Sequence, residues 1–324
     1  MTEEHVGARR SVVVAPRTSR VEQVDVRPAS TGEIVVQVLV NGLCASDLPS
    51  WLDGPANGTP LRLGHEPVGR VVEVGGGVDA IAIGDLVTGR LVESFAELIT
   101  VRASDAVVVP PGLHHESAVG EPLGCVVEAL RRACLDTGER VAVVGLGFMG
   151  LTLLQLLATS DIGQLVAVDT REDARRTAMV HGAMAAFSPA EVLDTAEMRD
   201  GFDVVFEVTG VQAGLDVATS LAAPHGTLDI VGYHQSHRTV DMQAWNWKGL
   251  EVVNGHVRDP RRLTDSIRRG LAVVASGRID YRSLFTHRYA LSEIDHAYTD
   301  LHRKPEGFIK AVIYCNPDSP TTGR

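Results

Sequence analysis

Val141-Ala142-Val143-Val144-Gly145-Leu146-Gly147-Phe148-Met149-Gly150 sets an apolar strand directly before three glycines spaced G-x-G-x-x-G. An apolar run from Leu151 to Ala158 then continues as a helix, too short and too interrupted by Thr152 and Gln155 to cross a bilayer. Strand, glycines and helix in that order form the context a dinucleotide fingerprint requires. Gly145 permits the tight turn, Gly147 lets the backbone approach a pyrophosphate, and Gly150 allows the helix to pack closely on the strand. The backbone of Leu146, Phe148 and Met149 completes the anion-facing turn at the helix N-terminus. The next strand ends at Asp169, nineteen residues after Gly150, followed by Thr170 and Arg171. A carboxylate there accepts hydrogen bonds from an adenosine ribose and repels a 2′-phosphate, so NAD is expected rather than NADP. Arg171, Arg175 and Arg176 are the residues that keep NADP open.

Outward from this stretch, apolar strands alternate with helical segments: Leu165 to Val168, Val204 to Phe206, Thr227 to Val231 and Leu250 to Val253. Such alternation predicts an α/β fold with a doubly wound parallel Rossmann sheet. Val208 and Thr209, then Val231, Gly232 and Tyr233, follow two of these strands where such sheets meet a cofactor. Upstream, short β-branched runs broken by glycine and proline (Ile34 to Val40, Val68 to Val74, Leu86 to Val87, Phe95 to Val101, Ala106 to Val109) predict a compact β-rich domain. A helix over Arg261 to Ser276, a strand at Leu284 to Arg288, a helix over Ser292 to His302 and a strand at Phe308 to Tyr314 end the chain. The last three are expected to return to the first domain, with a frayed tail from Asn316.

The 324 residues are 44% hydrophobic, enough for two cores. A formal net charge of -11 lacks the footprint that attracts nucleic acid or anionic membranes. The four cysteines, Cys44, Cys125, Cys134 and Cys315, are far apart, which fits a reducing compartment, and the first residues carry no signal-peptide pattern. A cytoplasmic protein without a membrane partner is expected.

Cys44, His65, Glu66 and Glu121 offer a thiolate, an imidazole and two carboxylates, a donor set suited to Zn2+ with one position open, although spacing alone does not establish it. Taken singly, each is as well explained as packing, a satisfied polar group or a surface charge. The segments around them, Gly42-Leu43-Cys44-Ala45-Ser46-Asp47, Gly64-His65-Glu66-Pro67-Val68-Gly69 and Glu121-Pro122-Leu123, resemble the zinc-dependent medium-chain dehydrogenase/reductase superfamily in its sorbitol and threonine dehydrogenase branch. The resemblance extends to Gly307-Phe308-Ile309-Lys310. It implies a GroES-like catalytic domain over residues 1–121 and 277–324, with the Rossmann domain over 122–276.

The resemblance further implies one catalytic zinc at Cys44 and His65, with Glu66, Glu121 or Cys125 completing the shell. It implies hydride exchange between NAD and a secondary alcohol or its ketone (polyol, sugar, cyclitol or amino alcohol), and a homodimer or homotetramer. Ser46 would take the alcohol proton, and Lys310 would reach the cofactor pyrophosphate. Two departures stand out. The four-cysteine lobe that holds a second, structural zinc in many relatives is missing between Gly89 and Phe95. Pro49 occupies the position of the relay histidine, which leaves water or a histidine such as His234 to end the proton path, though solvent-exposed loop positions are the simpler expectation for His234 and His237. Trp51 is either a pocket wall or core filling, and Trp245 and Trp247 are expected to pack or to pair across subunits. A zinc-free quinone or enoyl reductase of the same superfamily, or a non-catalytic nucleotide-binding protein, would share the fold without needing this donor set.

Overall fold

The computed structural model describes residues 6–316. In chain order it begins with strands β1 (Val6–Ala15), β2 (Thr18–Val26) and β3 (Glu33–Gly42). Helix α1 (Leu48–Asp53) and strands β4 (Pro67–Val74), β5 (Leu86–Gly89), β6 (Leu98–Arg102) and β7 (Ala106–Val108) lead to the long helix α2 (Gly120–Arg132). Then come β8 (Arg140–Val144), α3 (Phe148–Leu157), β9 (Gln164–Val168), α4 (Glu172–Val180), β10 (Ala185–Phe187), α5 (Pro189–Asp194), β11 (Phe202–Glu207) and α6 (Gln212–Leu221). They are followed by β12 (Ala222–Ile230), α7 (Met242–Lys248), β13 (Glu251–Asn254), α8 (Pro260–Ala275), β14 (Phe285–Ala290), α9 (Ile294–Arg303) and β15 (Lys310–Tyr314). No helix of the described residues is long and apolar enough to cross a membrane.

The described residues pack as two units: 6–124 with Leu263–Ser276 and 281–316, and Cys125–Arg262 with Gly277–Asp280. In the second unit six parallel strands run in the order β10-β9-β8-β11-β12-β13, the doubly wound arrangement read from the sequence. Val141 to Val144 and Leu165 to Val168 are buried without alternation, as strands covered on both faces must be. The order reverses between β8 and β11, so the carboxyl ends of these two strands flank the crevice where such sheets take ligands.

The first unit holds a sheet ordered β14-β15-β3-β4-β5-β7, with β6 also on β3 and a separate β1-β2 ribbon. The pairs are antiparallel apart from β14 with β15. Val36, Val38, Val71, Phe95, Tyr298 and Ile313 fill its core. Glu116, fully buried, is held by Arg288 (2.6 Å), Arg282 (3.1 Å) and the Tyr314 hydroxyl (2.7 Å), which brings its carboxyl down to about 2 against the penalty of burial.

Several expectations shift. The closing strand-helix-strand does return to the first unit, but so does most of α8, which the boundary at 276 assigned to the other domain. Gly120, Gly124 and Gly270 are the cause: a Cβ at any of them would strike Ile267, Leu263 or Leu123, so α2 and α8 close onto each other. β1 and β2 were not singled out, because Arg9, Arg10, Arg20 and Glu22 break their apolar pattern. Trp51 is core filling: it is 3% exposed, stacks on Tyr298 at 5.3 Å, and donates from Nε1 to Asp295 at 2.8 Å. Trp245 packs partly into the core of the second unit, whereas Trp247 is 91% exposed. The tail lies outside the described residues from 317 onward.

Candidate active site

Cys44 follows β3 by one residue, Leu43, and His65 and Glu66 directly precede β4, which pairs with β3. That pairing joins residues 21 and 22 positions apart in the chain, and one ligand atom from each of Cys44, His65 and Glu66 lies within 4.8 Å of the others. Tetrahedral zinc with ordinary Zn–S and Zn–N bonds places its ligands about 3.5 Å apart, so a shift of roughly 1 Å closes the set. Glu121, at the start of α2, is not in this group of atoms, but its carboxyl is pushed up by burial and by the charge of Glu66, which puts it in electrostatic reach. Cys125, one helical turn on, does not join the group.

Around these residues the shell is built from the same unit. Asp47 faces His65 Nδ1 at 3.4 Å and accepts from Gly64 N at 3.2 Å, so Nε2 is the nitrogen that could serve a metal. Burial would lower the His65 pKa, but Asp47, Cys44 and Glu66 outweigh it and carry it to about 11. This cluster wants a cation. Ser46 Oγ donates to Cys44 Sγ at 3.2 Å. Buried Asn41 accepts from Glu66 N at 3.1 Å and donates to Ser94 at 2.7 Å.

Lys310 corrects the sequence reading. It is 5% exposed, donates to Glu66 Oε1 at 2.9 Å, and sits 2.6 Å from Oε2 off the hydrogen-bonding direction. The ammonium is therefore spent on Glu66 rather than offered to a pyrophosphate. Glu66 Oε2 is left buried without an aligned donor, and a Cβ at Gly42 would strike it. An orphaned carboxylate oxygen beside a thiol and an imidazole fits a metal ion.

In the second unit, Gly145 (φ +100°) makes the turn and a Cβ at Gly150 would strike the Gly145 carbonyl, so both glycines serve the fold. Gly147 differs: its φ of -76° suits any residue and nothing lies within 4 Å of where its Cβ would be. The open space at the N-terminus of α3 fits a pyrophosphate. Asp169 accepts from Leu146 N at 2.7 Å and from Arg171 N at 2.8 Å, which clips the glycine turn to the end of β9. Arg171 lies near Asp169 and Asp173, Arg175 donates to the Asp169 and Thr170 carbonyls, and Arg176 pairs with Glu172.

Two models of known families match the chain: an alcohol dehydrogenase GroES-like domain at residues 30–111 and a zinc-binding dehydrogenase domain at residues 148–269. The chain belongs to the zinc-dependent medium-chain dehydrogenase/reductase superfamily. It is similar to a 2-dehydro-3-deoxy-L-galactonate 5-dehydrogenase of Pseudoalteromonas atlantica, with 26% identity over 89% of this chain and 93% of that one. A sorbitol dehydrogenase of Bacillus subtilis is 24% identical over 93% and 95%. Among solved structures, an Escherichia coli oxidoreductase of unknown specificity shares the fold, with a TM-score of 0.87, 20% identity and coverage of 95% and 99%.

As a member of this superfamily the chain is an alcohol oxidoreductase. Its second unit carries one network the sequence did not reveal. Fully buried Glu207, the last residue of β11, accepts from Thr209 N (2.7 Å), the Thr209 hydroxyl, Gly210 N (3.0 Å) and His234 Nε2 (2.8 Å). Arg238 donates to His234 Nδ1 at 2.9 Å and to Gly210 O at 2.7 Å. With both ring nitrogens engaged, His234 is neither a solvent-exposed loop residue nor a base with a lone pair to spare. It pins the Val208–Gly210 and Val231–Tyr233 segments together. Asp47 was also missed, although it stands inside the quoted Cys44 segment. Asp47→Ala is expected to weaken zinc retention about 10- to 100-fold in chelator competition; unchanged retention would remove Asp47 from the site.

Proposed function

We propose that this chain oxidises a secondary alcohol with NAD, or reduces the corresponding ketone, using one zinc ion held by Cys44, His65 and a carboxylate. The convergence of the Cys44, His65 and Glu66 ligand atoms within 4.8 Å supports this reading more than any other observation. When bound, zinc supplies Lewis acidity that brings an alcohol hydroxyl toward neutral pKa, and NAD supplies the hydride acceptor.

The chain's own residues do the rest. Asp47 holds the imidazole in one tautomer and orientation, and Lys310 keeps Glu66 neutralised and beside the set. Ser46, whose hydroxyl can swing from Cys44 Sγ, takes the alcohol proton. Pro49 cannot relay it and His234 has no spare nitrogen, so the proton passes to water. Glu121, on α2, is the fourth candidate ligand or holds a water there. The relatives' names favour a polyol, sugar or sugar-acid alcohol. A zinc-free reductase or a non-catalytic nucleotide binder has no use for this donor set.

NAD rather than NADP is supported by Asp169 and by the three nearby arginines, each of which already has a protein partner. Zinc-loaded protein assayed with NAD and NADP against polyols, cyclitols and amino alcohols tests the proposal through absorbance of the reduced cofactor. At least tenfold preference for NAD is expected. Faster reduction of NADP would overturn the reading of Asp169, and no turnover of any alcohol would overturn the function.

A further inference from the structure

We propose that His234, held between Glu207 and Arg238, is a positioning residue for the nicotinamide half of the cofactor. The inference rests on the dinucleotide site proposed above and adds to it the side chains that shape its second half. In a doubly wound sheet each half of the fold takes one mononucleotide. The glycine turn after β8 and Asp169 just past β9 serve the adenosine and pyrophosphate end, so the nicotinamide end falls to the segments leaving β11 and β12, residues 208–210 and 231–233. These two segments meet with no room for a side chain: a Cβ at Gly232 would lie 2.3 Å from Gly210 N and 2.6 Å from Glu207 Oε2.

Their mutual position depends on how the buried Glu207 carboxylate between them is paired. Oε1 takes the Thr209 hydroxyl and the amides of Thr209 and Gly210, all from its own segment. Oε2 accepts from His234 Nε2 at 2.8 Å and, among the described residues, has no other donor. His234 thus supplies the bond that carries this carboxylate across to the segment after β12. Arg238 decides the form of the ring. A guanidinium keeps its proton and only donates, so its bond from Nε to His234 Nδ1 at 2.9 Å leaves Nδ1 bare and places the proton on Nε2, facing Glu207. The same guanidinium reaches Gly210 O at 2.7 Å, which ties the loop after β12 back to the segment after β11. His256 adds a third tie, from Nε2 to Gly232 O at 3.1 Å. Apolar side chains would hold two strand ends together at less cost than a buried carboxylate; what this network adds is a defined place for the backbone atoms that face the ligand.

Isothermal titration of the full-length protein with NADH and, separately, with ADP tests this, because ADP carries the adenosine and pyrophosphate end alone. His234→Ala leaves Glu207 Oε2 buried and unpaired, and is expected to weaken NADH at least about tenfold while ADP changes less than about twofold. His234→Gln, whose amide restores a donor toward Glu207, is expected to recover most of that loss. Arg238→Gln should show a smaller loss with the same selectivity for NADH. If His234→Ala does not fold, the Arg238→Gln comparison decides alone: a loss confined to NADH supports the proposal. Equal losses of NADH and ADP in a folded variant, or wild-type NADH affinity in every variant, would overturn it. Wild-type protein that binds neither NADH nor ADP would instead remove the dinucleotide site on which it rests.

Discussion

Cys44→Ala is expected to lower kcat/KM for alcohol oxidation by at least about 10³-fold, because Lewis-acid stabilisation is worth several kcal/mol and the thiolate is the soft anchor of the ligand set. The same variant should lose most of its zinc on purification. Its fold should survive: Cys44 is half-buried, lies outside the apolar core, and, among the described residues, its sulfur contacts only polar neighbours of the same site, Ser46 and His65. Metal content and turnover are therefore measured on the same preparation, with circular dichroism as the control for folding. A folded Cys44→Ala protein that keeps stoichiometric zinc and wild-type turnover would end the account of this site.

Asp229→Asn is expected to stabilise the protein above neutral pH by up to about 4 kcal/mol, by clearly less at pH 5, and to change little only below about pH 4. Asp229 is 0% exposed in β12, between Phe206 and Val253 of the neighbouring strands, and neither carboxylate oxygen has an aligned donor among the described residues. The nearby Gly255 N–H donates instead to Ile230 O at 2.9 Å. Burial pushes the carboxyl up to about 7 from 3.8, and the charge of Arg132 and the Gly255 amide only partly oppose this. A raised carboxyl pKa means the folded chain binds a proton that the unfolded chain has lost. The contribution is fully present below the unfolded value and disappears as pH rises through about 7. Three pH units at about 1.4 kcal/mol each set the ceiling. Urea midpoints of both proteins at pH 5 and pH 8.5 measure it, and a difference that does not depend on pH would refute the assignment.

Legibility in the sequence tracked the range of the interaction. The glycine turn, β8 and Asp169 depend on neighbours within about one βαβ unit, so periodicity and spacing expose them. Cys44, His65 and Glu66 were readable as a set only because their flanking segments resemble a family. Lys310 was misassigned for the opposite reason: its partner Glu66 lies 244 residues away, and no local pattern distinguishes a buried ammonium from an exposed one at a strand end. Asp47 and Asn41 did leave a mark, one a carboxylate three residues past the cysteine and the other an amide in an otherwise apolar strand. Polar residues in such places are signals of the supporting shell. His234 left none, because its role exists only once β11 and β12 lie side by side.

The Lys310–Glu66 pair also decides what valence the site accepts. One ammonium cancels one carboxylate, so in the site proposed above Cys44 and Glu121, which would have to give up their protons to bind a metal, would set two negative charges against a divalent ion. A monovalent ion would leave a surplus of one negative charge, a trivalent ion a surplus of one positive, and low dielectric makes either imbalance expensive.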